Sequence, residues 1–304
     1  MTADLAVVVL TYNEAAHIAR ALASVAAIAR EIVVVDSFST DETTSLARAA
    51  GATVLQNTFV NQAQQFQWAL EHAPIAAGWI LRLDADELIY PELAAEIAAR
   101  LPALPPDVAG VNLKRRHIFM GRWIRHGGRY PVTLLRIWRR GQGRVENRWM
   151  DEHVVVEGGR IVTFDHDFAD HSLTDLSFFT AKHNTYATRE AIERLNVELA
   201  LFARDDAVST GAGGAQARAK RFVKDRLYNR LPFGVGPLGY FLWRYIAQFG
   251  FLDGREGLTY HVLQGFWYRF LVEAKVLELR RSVAHLDDPR GIRAELARLT
   301  GLAI

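Results

Sequence analysis

The chain has 304 residues, half of them hydrophobic, with 36 Lys and Arg against 34 Asp and Glu for a formal net charge of +2. That composition builds a globular core and excludes a disordered or low-complexity chain, while so small a net charge says little about partners. No cysteine is present, which excludes disulfides and thiolate metal sites and fits a reducing compartment.

Leu5–Leu10 is a continuous apolar run that follows Asp4 without a basic leader or cleavage site, so the first element is a strand and a cytoplasmic location is expected. Asn13-Glu14 opens a segment in which Ile18, Leu22 and Val25 recur at helical spacing. Ile32–Val35 reads as a second strand. Ser39-Thr40-Asp41 then precedes a helix carrying Thr44, Leu46 and Ala47, which Gly51 is placed to stop. Thr53–Leu55 is a third short strand, Gln62 to His72 a helix, and Trp79–Leu83 a fourth strand. Helices between strands imply right-handed crossovers and a mostly parallel sheet.

Ligands of open parallel sheets bind beyond the carboxyl ends of the strands. Here those ends are polar: Thr11-Tyr12-Asn13-Glu14 after the first strand, Asp36-Ser37 after the second and Asp84-Ala85-Asp86 after the fourth. Two carboxylates at the exit of a buried strand are costly unless a cation or another partner neutralises them. A hard divalent ion, Mg2+ or Mn2+, held by one or two carboxylates and substrate phosphates meets that need. The alternative is a solvated loop mouth that caps the helix after Pro91. No Gly-x-Gly-x-x-Gly follows the first strand and no Gly-Lys-Ser/Thr loop occurs, which argues against a dinucleotide dehydrogenase and a P-loop nucleotidase.

Residues 108 to 162 turn strand-like and glycine-punctuated, and Leu173 to Leu201 reads as mostly helical. Ser209 to Gly214 has the composition of a flexible linker. Between Arg218 and Arg281 twelve Lys/Arg stand against five acids, in the most aromatic part of the chain. Runs such as Tyr240–Ile246 and Phe266–Leu271 are too short to span a bilayer. They suit either a helix at an anionic membrane surface or an oligomer interface. No nucleic-acid-binding motif accompanies the basic residues, so no nucleic acid partner is expected.

The order of Val9-Leu10-Thr11-Tyr12-Asn13-Glu14, Glu31 to Asp41, Gln65-Phe66-Gln67-Trp68-Ala69-Leu70 and Leu83-Asp84-Ala85-Asp86-Glu87 resembles the inverting family 2 glycosyltransferases, particularly the bacterial branch that builds lipopolysaccharide cores, capsules and other surface glycans. Arg148 to His153, Lys182 to Ala187 and Phe251-Leu252-Asp253-Gly254 also look like that branch. The resemblance implies an α/β GT-A fold, a Rossmann-like and mostly parallel sheet with flanking helices, plus a C-terminal helical extension. It implies a transferase domain over residues 1–208, with a nucleotide-binding half at 1–107 and an acceptor and catalytic half at 108–208. A linker at 209–216 and a basic aromatic helical region at 217–304 would follow.

By the same resemblance, a sugar passes from a nucleoside-diphosphate donor, UDP favoured, to a hydroxyl of a saccharide or lipid-linked saccharide. Thr11, Tyr12, Asn13 and Glu14 would line the base and ribose pocket with Asp36 and Ser37. Asp36 would bond the nucleobase, and Gln65 stands near a position that often carries Arg. Asp86 would bind Mg2+ or Mn2+, with Asp84 sharing the ion or touching ribose beside Ala85, and His171 completing the metal shell. Glu152, or else Asp151, would deprotonate the acceptor hydroxyl. Trp123, His126, Arg129 and Trp149 are acceptor-side candidates, and Lys182 and His183 phosphate contacts; packing or solvation would explain each equally. Alternatives are a polyprenyl-phosphate glycosyltransferase and a non-catalytic nucleotide-sugar-binding scaffold. A peripheral place on the inner face of the cytoplasmic membrane and a homo-oligomer are further expectations.

Overall fold

The computed structural model describes residues 3–145, 154–201, 231–302 and 304. They fall into two units, the first ending at Leu173 and the second opening at Thr174. The proposed base pair Asp151 and Glu152, together with Trp149 and the linker at 209–216, lies outside the described residues.

In the first unit, β1 (Leu5–Thr11), β2 (Glu31–Asp36), β3 (Thr53–Gln56) and β4 (Trp79–Asp84) alternate with α1 (Ile18–Val25), α2 (Thr43–Ala49) and α3 (Gln62–His72). The four strands are mutually parallel in the order β3-β2-β1-β4. β1 shows why continuous apolar runs were needed. Leu5, Val7 and Val9 enter one core with α1, whereas Ala6 and Val8 enter a second core with Phe66 of α3. A strand covered on both faces cannot alternate apolar with polar residues. The helix anticipated from Asn13 begins later, at Ile18, because Glu14 first closes a turn in which its carbonyl accepts from the amides of His17 and Ile18.

The chain then makes β5 (Glu87–Ile89), α4 (Pro91–Arg100), β6 (Val108–Phe119), β7 (Arg122–Trp123), β8 (Val132–Arg139), β9 (Gly143–Val145), β10 (Val154–Val156) and β11 (Arg160–His171). β8 joins β4 antiparallel, and the sheet continues β8-β6-β11-β5, with β6 and β11 parallel. β9 and β10 form a separate antiparallel pair.

Only Ala85 and Asp86 separate β4 from β5, yet β8, β6 and β11 lie between those strands in the sheet. The sheet must therefore curl so that its far edge returns to the exit of β4. Glu87 on β5 pairs with Asp170 on β11.

The second unit is helical. α5 (Leu176–Leu199) is capped by Asp175, whose side chain accepts from the Phe178 amide at 2.8 Å. After it come α6 (Val235–Leu242), a π-helical continuation at Trp243–Ala247, a 3-10 turn at Gly250–Asp253 and α7 (Gly254–Tyr260). A second π segment at His261–Trp267 leads into α8 (Tyr268–Val283) and then α9 (Pro289–Thr300). Ala191 and Leu195 of α5, Val272 and Leu279 of α8, and Leu296 of α9 share one core. α5 thus packs with the C-terminal helices, although sequence reading groups it with the preceding residues. Among the described residues, no helix is long and apolar enough to cross a membrane.

Candidate functional site

Parallel register brings the three strand exits level: Thr11 stands beside Asp36, and Leu10 beside Asp84. Asp36 is fully buried and accepts four hydrogen bonds. Thr11 Oγ1 donates to Oδ1 at 3.0 Å, as does the Ser39 hydroxyl, while the Ser39 amide at 2.8 Å and Gln56 Nε2 at 3.3 Å donate to Oδ2. These bonds occupy the carboxylate's acceptor capacity. A base that bonds Asp36 must therefore displace one of these partners.

The loop after β1 is laced to the loop after β2. Asn13 adopts a left-handed conformation, φ 55°, which its short polar side chain tolerates. Its Oδ1 accepts from the Thr40 amide at 2.9 Å, and its own amide donates to Ser39 Oγ at 2.8 Å. The Glu14 amide donates to Thr43 Oγ1 at 2.7 Å. Asp41 accepts from the amides of Ala15 and Thr43, and these bonds together with the Thr43 hydroxyl overcome the raising effect of burial and hold its carboxyl below the usual range. The lacing leaves the rings of Tyr12 and Phe38 exposed at neighbouring strand exits. Ser37 Oγ accepts from Gln65 Nε2 at 3.2 Å, and the buried Gln65 also exchanges hydrogen bonds with Asn57. Gln65 thus braces the β2 and β3 exits from α3.

At the exit of β4, Arg82 Nε lies 3.6 Å from Asp84 Oδ1 and Arg136 Nη2 lies 3.3 Å from Oδ2. Arg136, on β8, also pairs with the buried Glu87. Burial works to raise the Asp84 carboxyl, but Arg136 and Arg82 hold it below the usual aspartate range. Burial wins at Glu87, which is pushed well above the glutamate range despite Arg136. Burial opposes the charge of Arg136, yet Glu87 and Asp84 together raise its affinity for the proton. Neighbouring Asp170 on β11 is held low against burial by His117 at 3.0 Å and by Arg115 and Arg129. The turn is thus seated in a buried network of alternating charge.

Asp86 meets His171 at the end of β11, where the His171 amide donates to the Asp86 carbonyl at 3.0 Å. α1 supplies the other wall. The buried His17 bonds Glu14 through Nδ1 at 2.7 Å and receives the Leu173 amide on Nε2 at 2.9 Å, which fixes its proton on Nδ1. One turn on, Arg20 donates to the His171 carbonyl and, at 3.3 Å, to its Nδ1. Burial, Arg20 and His17 hold the His171 imidazole below its usual range, against Asp170. That favours the neutral form a metal needs.

Asp86 and His171, joined here through their backbones, and Asp84 are residues of the types that ligate divalent ions. A neutral imidazole has a single lone-pair nitrogen, and Arg20 uses it here. Ligation by His171 and the Arg20 hydrogen bond therefore exclude each other. Among the described residues, no three His, Asp or Glu side chains gather closely enough to hold an ion alone, so further ligands would have to come from the substrate or solvent.

Sequence reading singled out Asp84, Asp86 and His171, and the fold brings them to one edge with Thr11 to Glu14, Asp36 and Ser37. It did not find His17, Arg20, Phe38, Arg82, Glu87 or Arg136. Arg82 had a signal, since it lies two residues before Asp84 and hence on the same strand face; Arg136 is one of two arginines in the otherwise largely apolar β8 and had none. Trp123 packs its ring edge-on to Tyr130 at 4.9 Å, with the Arg116 guanidinium 4.6 Å from its centroid. His183 lies in the second unit, stacked on Phe179 at 3.9 Å.

Residues 6–173 match the model of glycosyl transferase family 2. An uncharacterized glycosyltransferase of Rickettsia felis is 43% identical over 89 residues, 29% of this chain and 31% of that protein. The lipopolysaccharide core biosynthesis glycosyltransferase LpsC of Rhizobium meliloti is 31% identical over 156 residues, 49% of this chain and 56% of that protein. The chain thus spans about a third to just over half of the length of these relatives. Among solved structures, glucosyl-3-phosphoglycerate synthase of Mycobacterium tuberculosis aligns at 21% identity and a TM-score of 0.31, over 37% of this chain and 43% of that one. The family match covers more than half of the chain and contains, but for Leu5, every strand of the curled sheet and its candidate site: the chain belongs to glycosyl transferase family 2.

Proposed function

We propose that this protein transfers a sugar, with inversion, from a nucleoside-diphosphate sugar to a hydroxyl of a saccharide or lipid-linked saccharide. The observation that carries the reading is the meeting of the Asp84-Ala85-Asp86 turn with His171 at the edge where the β1 and β2 exits also end. Such an edge suits a nucleoside at the β1 and β2 loops and a diphosphate at the acidic turn.

Tyr12 and Phe38 offer exposed ring faces to the base, and the Ser37 and Asp36 exits border the ribose. Asp86 and His171 would hold Mg2+ or Mn2+, with Asp84 beside them; when bound, the ion supplies positive charge against the diphosphate leaving group. His17 and Arg20 fix the β11 exit against the acidic turn. The base that takes the acceptor proton is assigned by family resemblance to Glu152, or else Asp151. Family membership and the likeness to LpsC support a surface-glycan acceptor.

The test is a donor screen. Calorimetry with UDP-, GDP- and dTDP-sugars, with and without Mn2+, is expected to show metal-dependent binding of one nucleotide class that Asp86→Asn weakens at least tenfold. Absence of binding to every donor under every metal condition refutes the reading. Loss of turnover with retained donor binding in Glu152→Gln, and not in Asp151→Asn, would identify the base; full turnover in both removes hydroxyl activation by this pair.

A further inference from the structure

We propose that the cleft between α3 and β9 binds an uncharged saccharide, the part of the acceptor next to its reacting sugar, an acceptor role that rests on the proposed transfer. The cleft has a volume of about 370 Å³, inside the roughly 300–1,000 Å³ typical of small-molecule sites. Gln64, Gln67, Trp68 and Glu71 of α3 line it, together with Val145 of β9 and with Asn57 and Thr58 from the β3 exit.

α3 divides its faces accordingly. Ala63, Phe66 and Ala69 enter the second core, while positions 64, 67, 68 and 71 share another face at i, i+3, i+4 and i+7. A solvated helix face gains nothing from a tryptophan at its centre. The indole packs partly on the second core, and His72 stacks on it with ring centroids 4.6 Å apart. His72 is itself tied down, since its Nδ1 donates to the Trp68 carbonyl at 2.9 Å. Trp68 is thus fixed before any ligand arrives, and a rigid aromatic wall costs little to order on binding.

The hydrogen-bonding groups of the cleft are largely neutral. Asn57 Nδ2 donates to Gln65 Oε1 at 2.9 Å, which steadies the Asn57 amide and leaves its Oδ1 to accept. Gln67 Nε2 donates to Glu71 Oε1 at 2.8 Å, so Gln67 keeps its carbonyl oxygen and one N–H. Thr58 and Gln64 are exposed, and their side chains make no hydrogen bond among the described residues. Amides that both donate and accept match adjacent hydroxyls, and Trp68 and Val145 suit the C–H faces of a pyranose. Among the described residues that line the cleft there is no cation, and Glu71 is an anion, so a phosphate or carboxylate is disfavoured.

The position favours the acceptor. Val145 pairs with Val154 across the β9–β10 hairpin, and the residues that connect them in sequence include Asp151 and Glu152, the proposed base. Both ends of that connection are therefore anchored beside the cleft.

Saturation-transfer NMR on the full chain without donor tests the site, with methyl glucoside, methyl mannoside, lactose and cellobiose as neutral probes and glucuronic acid and uridine as contrasts. Neutral saccharides are expected to bind at least tenfold more tightly than glucuronic acid. Gln64→Ala/Gln67→Ala should weaken them at least fivefold, with the fold retained because alanine suits an exposed helix position. In the otherwise unaltered protein, the indole N–H signal of Trp68, identified by its loss in Trp68→Phe, should shift with the same saccharides. Absence of binding by every neutral probe overturns the proposal, as does undiminished binding by the double variant. So does a Trp68 signal that stays in place, or one that moves with uridine or glucuronic acid instead. Donor calorimetry on the wild type judges the transferase reading separately: saccharide binding without donor binding keeps the site and removes its acceptor role.

Discussion

Replacing Arg136 with methionine keeps an unbranched apolar stem and removes the cation that Glu87 and Asp84 share. Asp84 keeps Arg82 and is partly exposed, whereas Glu87 is 2% exposed and has its carboxyl raised by burial even with Arg136 present. Without Arg136 the folded chain keeps Glu87 protonated, while the unfolded chain releases that proton above about pH 4.5. The folded state then binds more protons than the unfolded one, so stability falls as pH rises. At about 1.4 kcal/mol per pH unit, holding Glu87 protonated costs at most roughly 0.7 kcal/mol at pH 5 and about 3.5 kcal/mol at pH 7, and the loss on removing Arg136 is the part of this that the wild type, whose Glu87 is already raised, does not yet bear. Because the chain has two units, hydrogen exchange of the β4 and β8 amides is the appropriate assay rather than one global melt. Glu87→Gln on the Arg136→Met background should restore most of the lost protection at pH 7 and abolish its pH dependence. Exchange unchanged in Arg136→Met, or a loss that Glu87→Gln leaves untouched, refutes the account of this network.

Arg20→Ala should strengthen Mn2+ binding in the absence of donor by on the order of tenfold, because a competing cation leaves His171 and the surroundings of Asp86; electron paramagnetic resonance of free Mn2+ measures it. In the same variant the His171 ring should titrate closer to 6.5, the usual histidine value, than in the wild type, as followed by NMR. The sign follows from linkage: a lowered imidazole pKa makes the fold bind fewer protons than the unfolded chain, so His171 opposes folding as pH falls through 6.5, and Arg20→Ala reduces that loss. At Gly143, an added Cβ would lie 2.4 Å from Trp138 Cδ1, and Trp138 is fully buried. Gly143→Ala should therefore destabilise the β8 and β9 region by about 1–3 kcal/mol, read as faster exchange there; unchanged protection would mean that Trp138 has room to shift.

β1 and β2 were legible as continuous apolar runs, which a sheet covered on both faces requires, and β4 as a run that only Arg82 interrupts, whereas the edge strand β3 offers just Val54-Leu55. Asp84 and Asp86 were legible because carboxylates rarely follow such a run. β5 was not: Glu87-Leu88-Ile89 is too short for a period to appear, and its pairing with Asp170 depends on the whole curl of the sheet. His17 and Arg20 look in sequence like the polar side of α1. Their role comes from where residues 171–173 arrive, which local pattern does not encode.

The two-residue connection between β4 and β5 also sets an order of assembly. β1 to β4 and their helices can pair as they leave the ribosome, because their contacts are made within the first part of the chain. Asp86 acquires its neighbour His171, and Glu87 its strand partner, only when β11 has been synthesised and has closed the curl. A nascent or truncated chain ending before β11 would thus have the acidic turn without the β11 wall. On the proposed function, cation binding at this edge would come only after the sheet is complete, a late checkpoint of folding.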